Sequence, residues 1–200
     1  MSCASSVPEL ILASGSPHRR ALLERLGIPF RAIVPPVDEE ALKHTAPSRS
    51  PRDLAEFLAD AKAEAVARDH PEAIVVGSDQ LVAFDGAILG KPGSFEAACD
   101  QLARLAGTTH ELVTALTVRH RDARHRHTNV TLMTMRPLDP EAIARVVRAD
   151  ASWDCAGAYK IESRGIALFE RIETDDFTAI IGLPLIALVD VLRLCGLTLP

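Results

Sequence analysis

Ala73-Ile-Val-Val76 is an unbroken apolar run that leads without a turn into Gly77-Ser-Asp-Gln80. Apolar residues that do not alternate with polar ones fit a strand covered on both faces, so the chain must supply layers on either side of a sheet. Glu9-Leu-Ile-Leu-Ala13 is a second such strand. It stops at Ser14-Gly-Ser-Pro17, a turn cluster, and Arg19 to Leu26 follows as a helix with Gly27 beyond its end. Buried strand, polar loop and helix in succession indicate an α/β protein.

The remaining pattern agrees. Phe30 to Val34 reads as a strand ended by Pro35-Pro36, then Val37 to Glu40 as an acidic loop and residues 41 to 50 as a mobile loop. Pro51 to Arg68 is the longest helical pattern, with Ser50 as N-cap and an apolar stripe at Leu54, Leu58, Ala61, Ala65 and Val66. Leu81 to Leu89 reads as a hairpin turning at Asp85-Gly86. A helix over Phe95 to Leu105 is capped by Ser94. Glu111 to Arg119 and Thr128 to Met135 are strands joined by a charged turn, and Asp139-Pro140-Glu141 opens a helix through Val147. Ala158 to Ile161, Ala167 to Ile172 and Phe177 to Ile181 are strand candidates, and Leu185 to Leu194 is a closing helix before Gly196. One mixed-sheet α/β domain over residues 1–200 is expected.

Composition narrows the function classes. With 200 residues, 48% hydrophobic and 24% charged, the chain is neither disordered nor a coiled coil. Lys plus Arg number 22 against 27 Asp plus Glu, and the net charge of −5 argues against sequence-independent nucleic-acid binding. Cys3, Cys99, Cys155 and Cys195 form no CxxC motif and fit a reducing compartment. Leu10 to Ala13 is too short for a signal sequence, and the apolar stretch from Ile180 to Val189 is broken by Gly182 and Pro184, short of a membrane span. A cytoplasmic protein with no membrane partner is expected.

Four constellations could carry chemistry. Ser14-Gly-Ser16-Pro-His18-Arg19-Arg20 places hydroxyls and helix N-terminal amides beside cations. That suits an anion, and it also suits an ordinary Ser-capped helix with solvated arginines. Asp79, following a buried strand, is placed where α/β folds carry ligand groups, unless it only bonds its own turn. Gly90-Lys91-Pro92 lacks the spacing and the Ser or Thr of a P-loop, but Lys91 could meet a phosphate as a point charge. Asp38-Glu39-Glu40 could hold Mg²⁺ or simply be solvated. The histidines at 120, 125 and 127 sit among arginines and read as a charged turn rather than a metal site. Ser14 and Ser16 do not match the hydrolase elbow G-x-S-x-G.

In this order the motifs resemble the Maf family of nucleoside triphosphate pyrophosphatases. They are Leu10-Ile-Leu-Ala-Ser-Gly-Ser-Pro17 with Arg19, Val37-Asp-Glu39, Ala61-Lys62-Ala63, Gly77-Ser-Asp79 and Leu89-Gly-Lys-Pro92. Leu105-Ala-Gly107 with His110 and Thr114, Ala156-Gly-Ala-Tyr159 and Gly182-Leu-Pro184 complete them, so the match covers nearly the whole chain. Gln80 after Asp79, and Glu162 closing Asp154-Cys-Ala-Gly-Ala-Tyr-Lys-Ile-Glu162, look most like the YceF branch, associated with 7-methylguanosine triphosphate. His18 departs from that branch, which usually has Trp there.

The resemblance implies a mixed β-sheet with flanking helices and two lobes around a cleft. It implies cleavage between the α- and β-phosphates, removing modified nucleotides as monophosphate and pyrophosphate. Asp79 would accept the proton of the attacking water. Ser14, Arg19, Lys62 and Lys91 would surround the triphosphate, and Glu39 would help hold a divalent cation, Mg²⁺ or Mn²⁺. His18, Gln80 and Glu162 would choose the base. The partner is then the nucleotide substrate, and a homodimer stays open. Alternatives are a pyrophosphatase of the thymidine and uridine triphosphate type, an enzyme acting on deaminated purine triphosphates, and a non-catalytic interaction role in septum formation.

Overall fold

The computed structural model describes residues 8–199, so Cys3 lies outside the described residues. In chain order the strands are β1 (Leu10–Ala13), β2 (Arg31–Ile33), β3 (Ile74–Phe84), β4 (Ala87–Leu89), β5 (Thr109–His120), β6 (Ala123–Met135) and β7 (Phe169–Glu173). The helices are α1 (Pro17–Glu24), α2 (Glu39–Thr45), α3 (Pro51–Ala67), α4 (Phe95–Leu105), α5 (Pro140–Asp150), α6 (Phe177–Ile181) and α7 (Leu185–Leu194). All seven strands join one mixed sheet, ordered β2-β1-β3-β5-β6-β7, with β4 also on β3. β1 runs parallel to β2 and β3, and every other pair is antiparallel. The expected mixed sheet with flanking helices is present.

The sheet has a notch. β5 takes one edge of β3 from Ile74 to Ala83. On the other edge β1 pairs with Ile74–Gly77 and β4 with Val82–Phe84. Ser78, Asp79, Gln80 and Leu81 therefore have no strand beside them on that edge. Asp79 lies in the middle of β3 rather than at its end, but it sits just beyond the point where parallel pairing with β1 stops.

Successive side chains of β3 point to opposite faces. Val75 packs with Val66, and Leu81 with Leu54, Leu58 and Ala59, so the odd-numbered face meets α3. Ile74 and Val76 pack with Leu22, Leu23, Leu188 and Leu192, so the even-numbered face meets α1 and α7. A third cluster joins α4 and α5 to Met133, Tyr159 and Phe169. The α3 contact is unusually close. A Cβ on Gly77 would lie 2.6 Å from the Ala59 carbonyl oxygen and 2.7 Å from the Ala63 nitrogen. Only glycine fits there, and Ala59 and Ala63 are themselves fully buried.

Local signals account for most boundaries. Ser50 and Ser94 cap α3 and α4 as expected, each accepting a backbone N–H at 3.1 Å. Asp85 and Gly86 both have positive φ, 50° and 73°, as a two-residue hairpin turn requires. Several expectations are corrected. Residues 39–45 form α2, capped by Asp38, instead of a loop. Phe177 to Ile181 is helical because Asp176 caps its start and Gly182, with φ 115°, ends it. Ala158 to Ile161 is no strand, since Gly157 and Ala158 both have positive φ. Of the candidate Ala167 to Ile172 only Phe169 to Ile172 is extended, in a strand that runs on to Glu173, and Arg164–Leu168 forms a 3₁₀ helix. Residues 119–127 belong mostly to the long β5–β6 hairpin. The buried face of α3 runs through Ala59, Lys62 and Ala63 rather than Ala61 and Ala65.

Gly77→Ala is expected to destabilise the fold by roughly 1–3 kcal/mol, the usual range for overpacking, because the clash is with backbone. Gly90→Ala, with nothing within 4 Å of its added Cβ, is the control and should unfold like the wild type. Urea midpoints of the two variants check this.

Candidate active site

The notch gathers the candidate residues. On the α3 face, Lys62 Nζ lies 2.7 Å from Asp79 Oδ1 and 2.9 Å from Glu39 Oε1. Lys62 and Asp79 are each 5% exposed, so this ion pair is withdrawn from water. The three acidic residues at the α2 start have divided roles. Asp38 caps the helix, Glu40 pairs with Lys43 at 2.6 Å, and Glu39 turns inward to Lys62.

At the end of β1, Ser14 Oγ accepts from the Ser16 amide at 3.1 Å, and Ser16 Oγ accepts from the Arg19 amide at 3.3 Å. The two hydroxyls thus shape the loop and start α1. Arg19 turns its side chain across the notch, where Nε donates to the Gly182 carbonyl at 2.9 Å. The same carbonyl lies 2.9 Å from Ser78 Oγ, which also reaches the Ala115 carbonyl at 2.7 Å. Gly182 and Ser78 were not singled out from the sequence as site residues, although Gly182-Leu-Pro184 stands among the motifs. Arg20 points away and pairs with Glu24 at 3.3 Å on the exposed side of the helix.

Two cavities meet at Ser16 and Arg19. The first, about 330 Å³, is lined by Ser14, Ser16, Arg19, Glu39 and Lys62. The second, about 360 Å³, is lined by Ser16, Arg19, Gln80, Lys91, Tyr159 and Glu162, among others, and includes His18. Lys91 is exposed and lies on the second cavity, apart from Ser14 and Lys62. His18 Nδ1 stands 3.5 Å from Glu162 Oε1 at the rim. Behind the second cavity, the Tyr159 hydroxyl and buried His110 Nε2 are 2.9 Å apart. Burial lowers His110 to about 4, so its ring is neutral near pH 7.

The electrostatics follow from burial. Desolvation pushes the Asp79 carboxyl above its ordinary range, against the pull of Lys62 and Arg19. Desolvation also acts upward on Glu39, but the hydrogen bond and charge of Lys62, with Lys43 and Arg19, outweigh it and hold Glu39 low. Burial lowers Arg19 from its ordinary value while Asp79 and Glu39 support its charge. The cluster sets two carboxylates against two cations. Among the described residues no group of three or more His, Cys, Asp or Glu side chains could hold a metal ion alone. The residues present do fit a cation that arrives with a phosphorylated ligand, because Mg²⁺ and Mn²⁺ take few carboxylates and complete their shell with phosphate and water. A triphosphate added to a balanced site would also bring uncompensated negative charge.

A family description, Maf-like protein, matches residues 9–195. The chain is 50% identical to a 7-methyl-GTP pyrophosphatase of Bordetella pertussis, covering 95% of this chain and 94% of the relative. It is 46% identical to a protein of that name from Bdellovibrio bacteriovorus, over 92% of this chain and 96% of the other. For the protein of that name from Xanthomonas campestris pv. campestris the identity is 45%, over 97% and 100%. Among the described residues no helix is long and apolar enough to cross a membrane.

Lys62→Met should destabilise the protein by roughly 3–5 kcal/mol at neutral pH, the usual result of orphaning a buried charge. The sign of its pH dependence follows. Without the amine, the folded-state pKa of Asp79 rises further above its unfolded value, so the variant loses stability as pH rises through that range. Its deficit against the wild type should therefore be smaller at pH 5 than at pH 8 in urea unfolding. Equal deficits at both would mean that Asp79 is not the orphaned group.

Proposed function

The chain belongs to the Maf family, and we propose that it hydrolyses a nucleoside triphosphate between its α- and β-phosphates, with 7-methyl-GTP as substrate. Residues 1–200 are read as one domain. The observation that carries this reading is the junction of two unlike cavities at Ser16 and Arg19. One is lined by Glu39 and Lys62, whose ion pair continues inward to buried Asp79, and the other offers polar groups suited to a base. A nucleotide spanning the junction would place its phosphates at the first and its base at the second. The near full-length relatives named 7-methyl-GTP pyrophosphatase support the substrate.

Asp79 is the proton acceptor in this reading. Lys62 holds Oδ1, and the other carboxylate oxygen takes a proton from water. The resulting hydroxide bonds to the α-phosphorus. The bridging P–O bond breaks, and pyrophosphate leaves with the electron pair. Burial makes the carboxyl a stronger base than a solvated aspartate, as this step needs. Arg19, already oriented by the Gly182 carbonyl, meets phosphate oxygens with its remaining guanidinium N–H groups. Ser14 and Lys62 line the same cavity, and Lys91 approaches from the base side. Glu39 would help hold a divalent cation, Mg²⁺ or Mn²⁺, whose chemistry is to neutralise and orient the phosphates. Glu162 accepts from the base edge, Gln80 faces the same space and His18 closes the rim.

Purified protein with Mg²⁺ or Mn²⁺ should turn over 7-methyl-GTP in preference to UTP and dTTP, releasing pyrophosphate, and lose activity in excess EDTA without unfolding. Asp79→Asn should lower kcat by about 10² or more. It should stay folded, since Lys62 keeps Glu39 as a partner. A folded Asp79→Asn protein with wild-type turnover would refute the assignment of the base, and an unselective or pyrimidine-preferring wild type would refute the substrate.

A further inference from the structure

Gln80 lines the base-side cavity, yet its amide nitrogen is engaged elsewhere. Nε2 lies 3.0 Å from Thr114 Oγ1, 2.9 Å from the Ala179 carbonyl oxygen and 3.0 Å from the Ile180 carbonyl oxygen. An amide nitrogen has two protons, so three acceptors exhaust it. Thr114 is 1% exposed, and its hydroxyl gives its own proton to the Ala179 carbonyl at 2.9 Å. With that proton committed, Thr114 Oγ1 acts on Gln80 as an acceptor. Turning the amide over would set Oε1 against the Ala179 and Ile180 carbonyl oxygens, acceptor on acceptor, and the Thr114 proton would reach Oε1 only by leaving the Ala179 carbonyl. The hydrogen-bond network therefore decides which end of Gln80 is which.

We propose that Thr114 is a positioning residue for base choice, holding the Gln80 amide against α6 so that Oε1 is the group offered to the cavity. This rests on reading that cavity as the base site. Glu162 is an acceptor lining the same cavity. Two acceptors require a ligand edge with neighbouring donors. A guanine-type ring has them in N1–H and its exocyclic amino group. Uracil and thymine offer one N–H flanked by carbonyl oxygens, so satisfying one acceptor turns an oxygen toward the other. Methylation at N7 makes the purine ring cationic and its N1–H a stronger donor, which strengthens a bond to either acceptor. Selectivity then depends on a buried hydroxyl that does not itself line the cavity.

The test compares Thr114→Val, which keeps the shape and removes the hydroxyl, with Thr114→Ser, which keeps the hydroxyl. The readout is the ratio of kcat/KM for 7-methyl-GTP to that for UTP, with Mg²⁺. Thr114→Val should lower the ratio about tenfold, the worth of one hydrogen bond, through KM for 7-methyl-GTP and with kcat on UTP retained. Thr114→Ser should keep the ratio within about twofold of wild type. An unchanged ratio in Thr114→Val, or an equal loss in Thr114→Ser, would overturn the proposal. A second measurement needs no variant. In the wild-type protein the Gln80 side-chain amide protons, followed by NMR, should be protected from solvent exchange with and without 7-methyl-GMP. Rapid exchange would overturn the proposal. A wild type that does not favour 7-methyl-GTP would instead refute the substrate, and the exchange measurement would still decide the contact.

Discussion

Two opposite charges are held out of water, Lys62 on α3 and Asp79 on β3, and the rest of the site is arranged around them. Neither could be buried alone without losing its charge or several kcal/mol of stability. What lets them meet is a missing side chain. Gly77 lies two residues before Asp79 on the same face of β3, and α3 presses its Ala59 and Ala63 backbone onto that spot. The helix thereby sits close enough for Lys62 to reach Asp79 at 2.7 Å. Glu39 supplies the second carboxylate from the first turn of α2, which buries no residue of its own and is held to the protein partly by that contact.

The second constraint is the alternation of a strand. Asp79 and Gln80 are neighbours in sequence and face opposite sides of the sheet. A single ligand can address both only where the sheet is open, and it is open at Ser78–Leu81, between the ends of β1 and β4. Arg19 crosses that opening and is fixed by the carbonyl of Gly182, which Ser78 also reaches. The left-handed Gly182 is the turn that ends α6, and α6 also supplies the carbonyls that hold Gln80. Asp176 anchors this arrangement by capping α6 and accepting from the Ile186 amide at 2.8 Å. One short helix thus serves both cavities.

Much of the scaffold was legible because its signals are local. Ser50-Pro51, Ser94 and Asp139-Pro140 mark helix starts through contacts three residues long, and Asp85-Gly86 marks a turn by its conformational demand. The failures were of two kinds. α2 has no buried residue, so it leaves no apolar stripe to read. The run Phe177 to Ile181 is apolar but for Thr178 and too short for periodicity to separate helix from strand, and its decisive cap is a side chain outside the run. The site divides in the same way. The Ser14–Arg19 loop and Asp79 stood out from the residues themselves. The meeting of Lys62 with Asp79, the service of the Gly182 carbonyl and the lock on Gln80 join residues 17, 163 and up to 100 positions apart. No spacing rule contains those contacts. Only the ordered resemblance across the whole chain pointed to the residues involved.

If burial against Gly77-packed α3 is what makes Asp79 a base, the carboxyl must hold its proton more tightly than a solvated aspartate. The direct measurement is a pH titration of the Asp79 side-chain carbon by NMR in the protein without nucleotide. A midpoint above the ordinary aspartate value of about 3.9 is expected. A midpoint at or below that value would mean that the Lys62 charge outweighs burial, and that Asp79 is held ready as a ligand for a cation rather than as the acceptor of a proton.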